Sequence, residues 1–248
     1  MINVLVLMSG HSQAFAEAGH PYPKNLVEIA GEPLVQRVLQ HLEPLKTQGA
    51  RFLCLLRADE NRRNHTGAVV HLLDPEAVVI DVNGETSGAA CSALLAVGYI
   101  DNDDPLIIVN GDQILDADLC AILGDFTARQ LDGGIVVFED VHPRWSFVKC
   151  DEQERVIETA EKRPISKLAT AGFYYFARGR DFVLAASEMI KKDAQVGGSF
   201  FICPAYNELI LRQGYVGIHR IPRGAYHSLA TPNDVTAYEA HLQESRRD

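Results

Sequence analysis

Asp112 stands in the turn Asn110-Gly111-Asp112-Gln113, directly after the apolar run Pro105 to Val109. A carboxylate at the end of a buried strand, facing a wet crevice, suits Mg²⁺. That ion prefers oxygen ligands, keeps several waters and often uses one or two carboxylates together with substrate phosphates. The same aspartate could instead cap a turn or the following helix. A second candidate is the stretch Met8 to Leu34, MSGHSQAFAEAGHPYPKNLVEIAGEPL. Gly10 permits a tight turn, and backbone N–H groups in such a turn can cradle phosphate. The spacing matches neither the dinucleotide fingerprint nor the P-loop. Lys24 follows Pro23, which fixes its local backbone; taken alone, an isolated loop lysine is usually just a solvated charge. A third candidate is AEKRPISKLATAGFYYF, where Glu161, Lys162 and Arg163 precede Pro164 and Gly172 interrupts a strand. A glycine there marks a bulge or the close approach of a ligand. Arg144 and Trp145 in HPRWS could hold an anion and a ring, or pack a loop on the sheet. Asn207 and Glu208 in CPAYNELI could lie near an acceptor, or simply be part of helix structure.

Positioning such residues requires strands that end near one another. INVLVLM, RFLCLL, AVVIDV and DPLIIVNGD read as strands, and PLVQRVLQHLEPL and SGAACSALLAVGYI as helices. Continuous apolar strands are buried on both faces, which predicts a mostly parallel sheet with helices on each side. GGIVVFED, WSFVKCD, RVIETAEK and ATAGFYYFA are closely spaced and predict an antiparallel or mixed extension. RDFVLAASEMIKKD and FFICPAYNELILRQG read as helices and YVGIHRIP as a late strand. Thr231, with Pro232 behind it, predicts the start of a last helix. No repeat or low-complexity linker divides the chain, so residues 1–248 read as one α/β, Rossmann-like domain. In open α/β sheets ligands bind outside the carboxyl ends of the strands. The turns after the first strand and after Val109 meet that condition.

The 248 residues are 47% hydrophobic, enough for a large core, and carry a formal net charge of −10. That charge disfavours nucleic acid and anionic membranes as partners. A small anionic substrate in a locally positive pocket remains compatible with it. The five cysteines are scattered and odd in number, and form no CxxC pair. They read as reduced thiols in a reducing, cytoplasmic compartment. The apolar start is too short for a signal peptide, and no run approaches the roughly 20 residues needed to span a bilayer.

Several long segments, in order, resemble the sugar-phosphate nucleotidyltransferases, which make NDP-sugars from an NTP and a sugar 1-phosphate. They are AEAGHPYPKNLVEIAGEPLVQRVL, ETSGAACSALLA, LIIVNGDQ, HPRWSFVKCDEQERVIETAEKRPISKLATAGFYYF and GGSFFICPAYNELI. The resemblance is to a bacterial branch associated with capsule and surface-polysaccharide clusters, and it covers nearly the whole chain. It implies a single domain with a mixed, mostly parallel sheet. It also implies an opening loop that wraps the NTP phosphates through Gly10 and His11, with Lys24 neutralising their charge. Gly88 and Ala89 would let the nucleobase, cytidine by preference, approach the backbone. Asp112 would bind Mg²⁺. Gln113, Glu161, Lys162, Gly172, Arg144 and Trp145 would line the acceptor site, Glu161 through a hydroxyl and Lys162 through a phosphate. Lys24, Asp112 and Lys162 would carry catalysis; a homo-oligomer is compatible with the family.

The chemistry asks mainly for positioning. A phosphate monoester has a second pKa of about 6, so an acceptor phosphate is already mostly ionised at neutral pH. Two anions must then be held in line and their charge neutralised.

Two departures from the family pattern stand out. Ala14 occupies the place of the loop's usual arginine and Ser12 that of a second glycine. In the tail, Tyr226 to Pro232 holds no aspartate before Thr231, leaving His227 or a nearby acid as replacements. These departures keep open a catalytically impaired relative that binds a nucleotide or phosphorylated ligand, or acts as a partner subunit. A glycosyltransferase using an NDP-sugar is a third reading, although NGDQ is not an Asp-x-Asp motif.

Overall fold

In a computed structural model describing residues 1–245, the first apolar run lies inside a nine-stranded sheet. The strands of the first half are β1 (Ile2–Met8), β2 (Glu28–Ile29), β3 (Glu32–Pro33), β4 (Ala50–Arg57), β5 (Val78–Val82), β6 (Leu106–Asn110) and β7 (Gln113–Leu115). The second half adds β8 (Gly133–Glu139), β9 (Ser146–Cys150), β10 (Val156–Glu161), β11 (Leu168–Phe176), β12 (Val216–Arg220) and β13 (Tyr226–Ser228). The helices are α1 (Gln13–Glu17), α2 (Leu34–Leu42), α3 (Ala58–Asn64), α4 (Thr66–Leu73), α5 (Ala89–Leu94), α6 (Val97–Ile100), α7 (Leu119–Ala128), α8 (Gly179–Lys191), α9 (Ile202–Leu211) and α10 (Pro232–Ser245).

The main sheet runs β10-β9-β11-β6-β1-β4-β5, with β8 joining β11 and β12. β1 pairs in parallel with β4 and β6, and β4 with β5. β11 is antiparallel to β6, β8 and β9. β10 is antiparallel to β9, and β12 is parallel to β8. Only β10 and β11 therefore run against the common strand direction, which gives the mixed, mostly parallel sheet expected.

Side chains alternate across a strand, and β1 feeds two cores accordingly. Val4, Val6 and Met8 pack with α2 and α7; Leu5 packs with α5, α8 and α9. Leu34, Val35, Val38, Leu39 and Leu42 of α2 are all buried, as their spacing predicts.

The segment expected as one helix over SGAACSALLAVGYI divides into α5 and α6. Leu95 and Ala96 bond three residues back instead of four, which tightens the chain between them. Two small sheets, β13–β7 and β2–β3, were not expected. Among the described residues no helix is long and apolar enough to cross a membrane.

Candidate active site

β1 and β6 are neighbours in parallel, so their carboxyl ends open on the same side. Gly111 donates its N–H to the Leu7 carbonyl at 2.9 Å. A Cβ on Gly111 would lie 2.8 Å from that carbonyl oxygen, so a glycine is needed for the turn to lie against β1. The turn then carries Asp112 to Lys24, whose Nζ is 2.7 Å from Oδ2. Lys24 is only 6% exposed, which excludes the solvated-charge reading. Its backbone N–H donates to Ser12 Oγ at 2.9 Å, and Asn25 Nδ2 donates to the Met8 carbonyl at 2.9 Å. A Cβ on Gly10 would come within 2.9 Å of the Lys24 ammonium. Gly10 therefore makes room for the lysine.

Two clefts meet above these strand ends. The first is lined by Gly10, His11, Lys24, Gly88, Ala89 and Asp112, among others. The second is lined by Arg144, Trp145, Ser146, Glu161, Gly172 and Tyr226, among others. Ala89 and Asn110 belong to both walls. Gly88 has φ +105°, and a Cβ there would lie 2.5 Å from the Phe200 carbonyl oxygen. Packing against Phe200 therefore already requires the glycine, which also faces the first cleft.

In the second cleft, Glu161 is buried and accepts a hydrogen bond from Ser146 Oγ. Burial pushes its carboxyl above the usual range, against the pull of Ser146 and Lys162. Trp145 packs edge-on to Phe138 and Tyr226, with centroids 5.3 Å away in each case, and the Arg144 guanidinium lies 4.2 Å above its ring. Gly172 has φ +63° at a register shift in β11. It is thus both a bulge and part of the cleft wall.

Two expected acceptor residues are placed differently. Gln113 is buried, and its Nε2 donates to the carbonyls of Ala171 and Gly172 at 2.7 and 3.0 Å. Its Oε1 accepts from Asn110 Nδ2 at 3.0 Å. Those bonds make it a support beneath the wall rather than part of it. Lys162 is exposed and has a left-handed backbone (φ +52°); its Nζ lies 5.1 Å from the ring centroid of Phe201, which lines the second cleft.

Residues 4–207 match the profile of the nucleotidyl transferase family. The chain belongs to that family. It is similar to the bifunctional protein GlmU of Methanocaldococcus jannaschii, 25% identical over 71% of this chain and 40% of that one. It is similar also to the low-salt glycan biosynthesis nucleotidyltransferase Agl11 of Haloferax volcanii, 24% identical over 93% of this chain and 63% of that one. The chain spans about half the length of the curated relatives it matches. A solved nucleoside-diphosphate-sugar pyrophosphorylase from Vibrio cholerae RC9 shares the fold with a TM-score of 0.81 at 25% identity, covering 96% of this chain and 99% of that one.

Against the pattern expected of a nucleotidyl transferase, the missing loop arginine has a neighbour that sequence reading passed over. Arg57, at the end of β4, places Nη1 3.3 Å from His11 Nδ1 and 3.1 Å from Glu85 Oε1. Its desolvation is outweighed by Glu85 and Asp59, which hold the guanidinium charged. The signal was spatial: β4 lies beside β1, so its last residue arrives next to the opening loop. In the tail, Leu229 donates its N–H to the Asp112 carbonyl at 2.8 Å. His227 does not join Asp112; it bonds Asp116 instead. The nearby acid Asp234 is engaged by Ser228 and Thr231.

Proposed function

We propose that the protein transfers a nucleoside monophosphate from an NTP to a phosphorylated small-molecule acceptor, such as a sugar 1-phosphate, with release of pyrophosphate. The observation that carries this reading is the Lys24–Asp112 pair at the floor of the first cleft, next to the Asn110 wall shared with the second. An acceptor phosphate oxygen would attack the α-phosphorus of the NTP, and the electron pair of the breaking bond would leave with pyrophosphate. Lys24 would hold NTP phosphate charge, and Gly10 and His11 would face it. Glu161 with Ser146 would hold an acceptor hydroxyl. Trp145 and Arg144 would bear on the acceptor ring and its phosphate, with Lys162 at the rim.

The residues fit a divalent cation shared with substrate phosphate. Asp112 offers a hard oxygen donor open to the cleft, and the Lys24 ammonium already lies against it as a stand-in cation. Asp112 would hold Mg²⁺, which would neutralise phosphate oxygens and favour departure of pyrophosphate. The free cysteines suit a reducing, cytoplasmic setting.

The test is a thermal-shift panel of ATP, CTP, GTP, UTP and dTTP with and without Mg²⁺, followed by pyrophosphate release with candidate acceptors. CTP is the first to try. A ligand at 100 times its Kd adds about 2.7 kcal/mol, or roughly 5–10 °C for a domain of this size. Asp112→Asn should abolish release while the protein stays folded; unchanged turnover would refute the proposal. A second reading rests on Ala14: no shift with any NTP would identify a catalytically impaired relative. Ala14→Arg should then restore binding.

A further inference from the structure

A second group of ligating side chains lies outside both clefts. Asp116 follows β7, His227 is the middle residue of β13, and His241 belongs to α10. His227 Nε2 is 2.8 Å, and His241 Nε2 3.0 Å, from one and the same atom, Oδ2 of Asp116. The imidazoles stack with centroids 4.3 Å apart. The Tyr238 ring packs on both, at 5.2 and 6.1 Å. One donor atom from each of the three residues lies within 4.8 Å of the other two.

We propose that Asp116, His227 and His241 bind a divalent transition-metal ion, Zn²⁺ foremost, at a site distinct from the nucleotide and acceptor clefts. The three residues line neither cleft. Alternation along β13 explains why: Tyr226 faces the acceptor side, so His227 faces away. Two imidazole nitrogens and one carboxylate oxygen suit Zn²⁺ and its transition-metal neighbours. Mg²⁺ and Ca²⁺ call for oxygen donors.

The ligand bonds are short, about 2.0–2.2 Å for nitrogen and oxygen on Zn²⁺. Donors around such an ion stand roughly 3–3.5 Å apart, so the two His–Asp separations of 2.8 and 3.0 Å need only a small spreading. Asp116 is exposed and can supply it. Each imidazole would bind through Nε2 in its neutral form with the proton on Nδ1. Three protein donors leave at least one position for water. The nearby His41 is engaged elsewhere, its Nε2 accepting the Leu115 N–H at 3.4 Å.

The ligands come from three separate segments, so the ion would tie α10 to the β7–β13 pair. β7 begins immediately after Asp112, and the Asp112 carbonyl is held by Leu229 just beyond β13. The bound ion would thus brace the turn that carries Asp112 from behind.

The experiment is calorimetric titration of the chelator-stripped full chain with Zn²⁺ alone, with excess Mg²⁺ present to fill hard-cation sites. One Zn²⁺ should bind per chain with micromolar or tighter affinity and raise the melting temperature. Co²⁺ in its place should give visible bands of a nitrogen- and oxygen-ligated ion, without the thiolate charge-transfer band that binding at a cysteine would produce. His241→Ala on α10, and separately His227→Gln, should weaken Zn²⁺ by at least tenfold and lose the thermal shift. Absence of saturable Zn²⁺ binding, a thiolate band, or unchanged binding by both variants would overturn the proposal.

Discussion

Lys24 and Asp112 are 88 positions apart in the chain and 2.7 Å apart in the fold. An ammonium taken out of water costs several kcal/mol unless a partner offsets it. Removing Asp112 therefore strands a nearly buried charge as well as a candidate ligand, which is why turnover of Asp112→Asn must be read beside its unfolding curve. Gly172 shows a different constraint. Its left-handed backbone is costly for any other residue, and a Cβ would run into the side-chain amides of Asn110 and Gln113. Those amides support the wall shared by the clefts. Gly172→Ala should destabilise the protein by about 1–3 kcal/mol. It should raise KM for the acceptor more than KM for the NTP, because Gly172 lines the second cleft, the one proposed to hold the acceptor. Urea unfolding together with steady-state kinetics on both substrates checks this, and equal KM changes would contradict it.

At the scale of elements, the strands buried on both faces were legible because an unbroken apolar run has few other uses. β1, β4 and β6 lie where INVLVLM, RFLCLL and DPLIIVNGD predict them. The break between α5 and α6 was hidden, since both halves are made of the same small and apolar residues. β7 and β13 are three residues each and pair across more than a hundred positions, so no local pattern announces them. That pairing places the tail beside Asp112, and it also sends His227 away from the two clefts. Arg57 was equally hidden, because its role follows from strand order rather than spacing. The start of α10 was legible, and the reason is local. Asp234 N–H donates to Thr231 Oγ1 at 3.2 Å while Thr231 N–H donates to Asp234 Oδ2 at 3.0 Å, a reciprocal cap. Thr231→Ala removes one arm of it. The expected loss is about 1 kcal/mol, or roughly 2–4 °C in Tm for a chain of this length, read by thermal melts with and without chelator. An unchanged Tm would show that packing of α10 on β13, rather than its cap, holds the helix start.

For the molecule as a whole, acid sensitivity has an identifiable source in His41. It sits on α2 and faces β7, where its Nε2 accepts the Leu115 N–H. Burial pushes its pKa from 6.5 to about 4, against the opposing pull of Asp116. In the folded protein the imidazole thus stays neutral down to about pH 4, whereas in the unfolded chain it takes up a proton near pH 6.5. Between those values the unfolded state binds the extra proton. Stability contributed by neutral His41 is therefore fully present above about pH 6.5 and falls as the pH drops toward 4, by on the order of 3 kcal/mol in total. His41→Asn keeps an acceptor for the Leu115 N–H and removes the titration. In chelating buffer, so that cation binding at Asp116 does not enter, urea unfolding of the wild type should lose about 2 kcal/mol more than His41→Asn on going from about pH 7.5 to about pH 5. Parallel losses in the two proteins would place the acid sensitivity in groups other than His41.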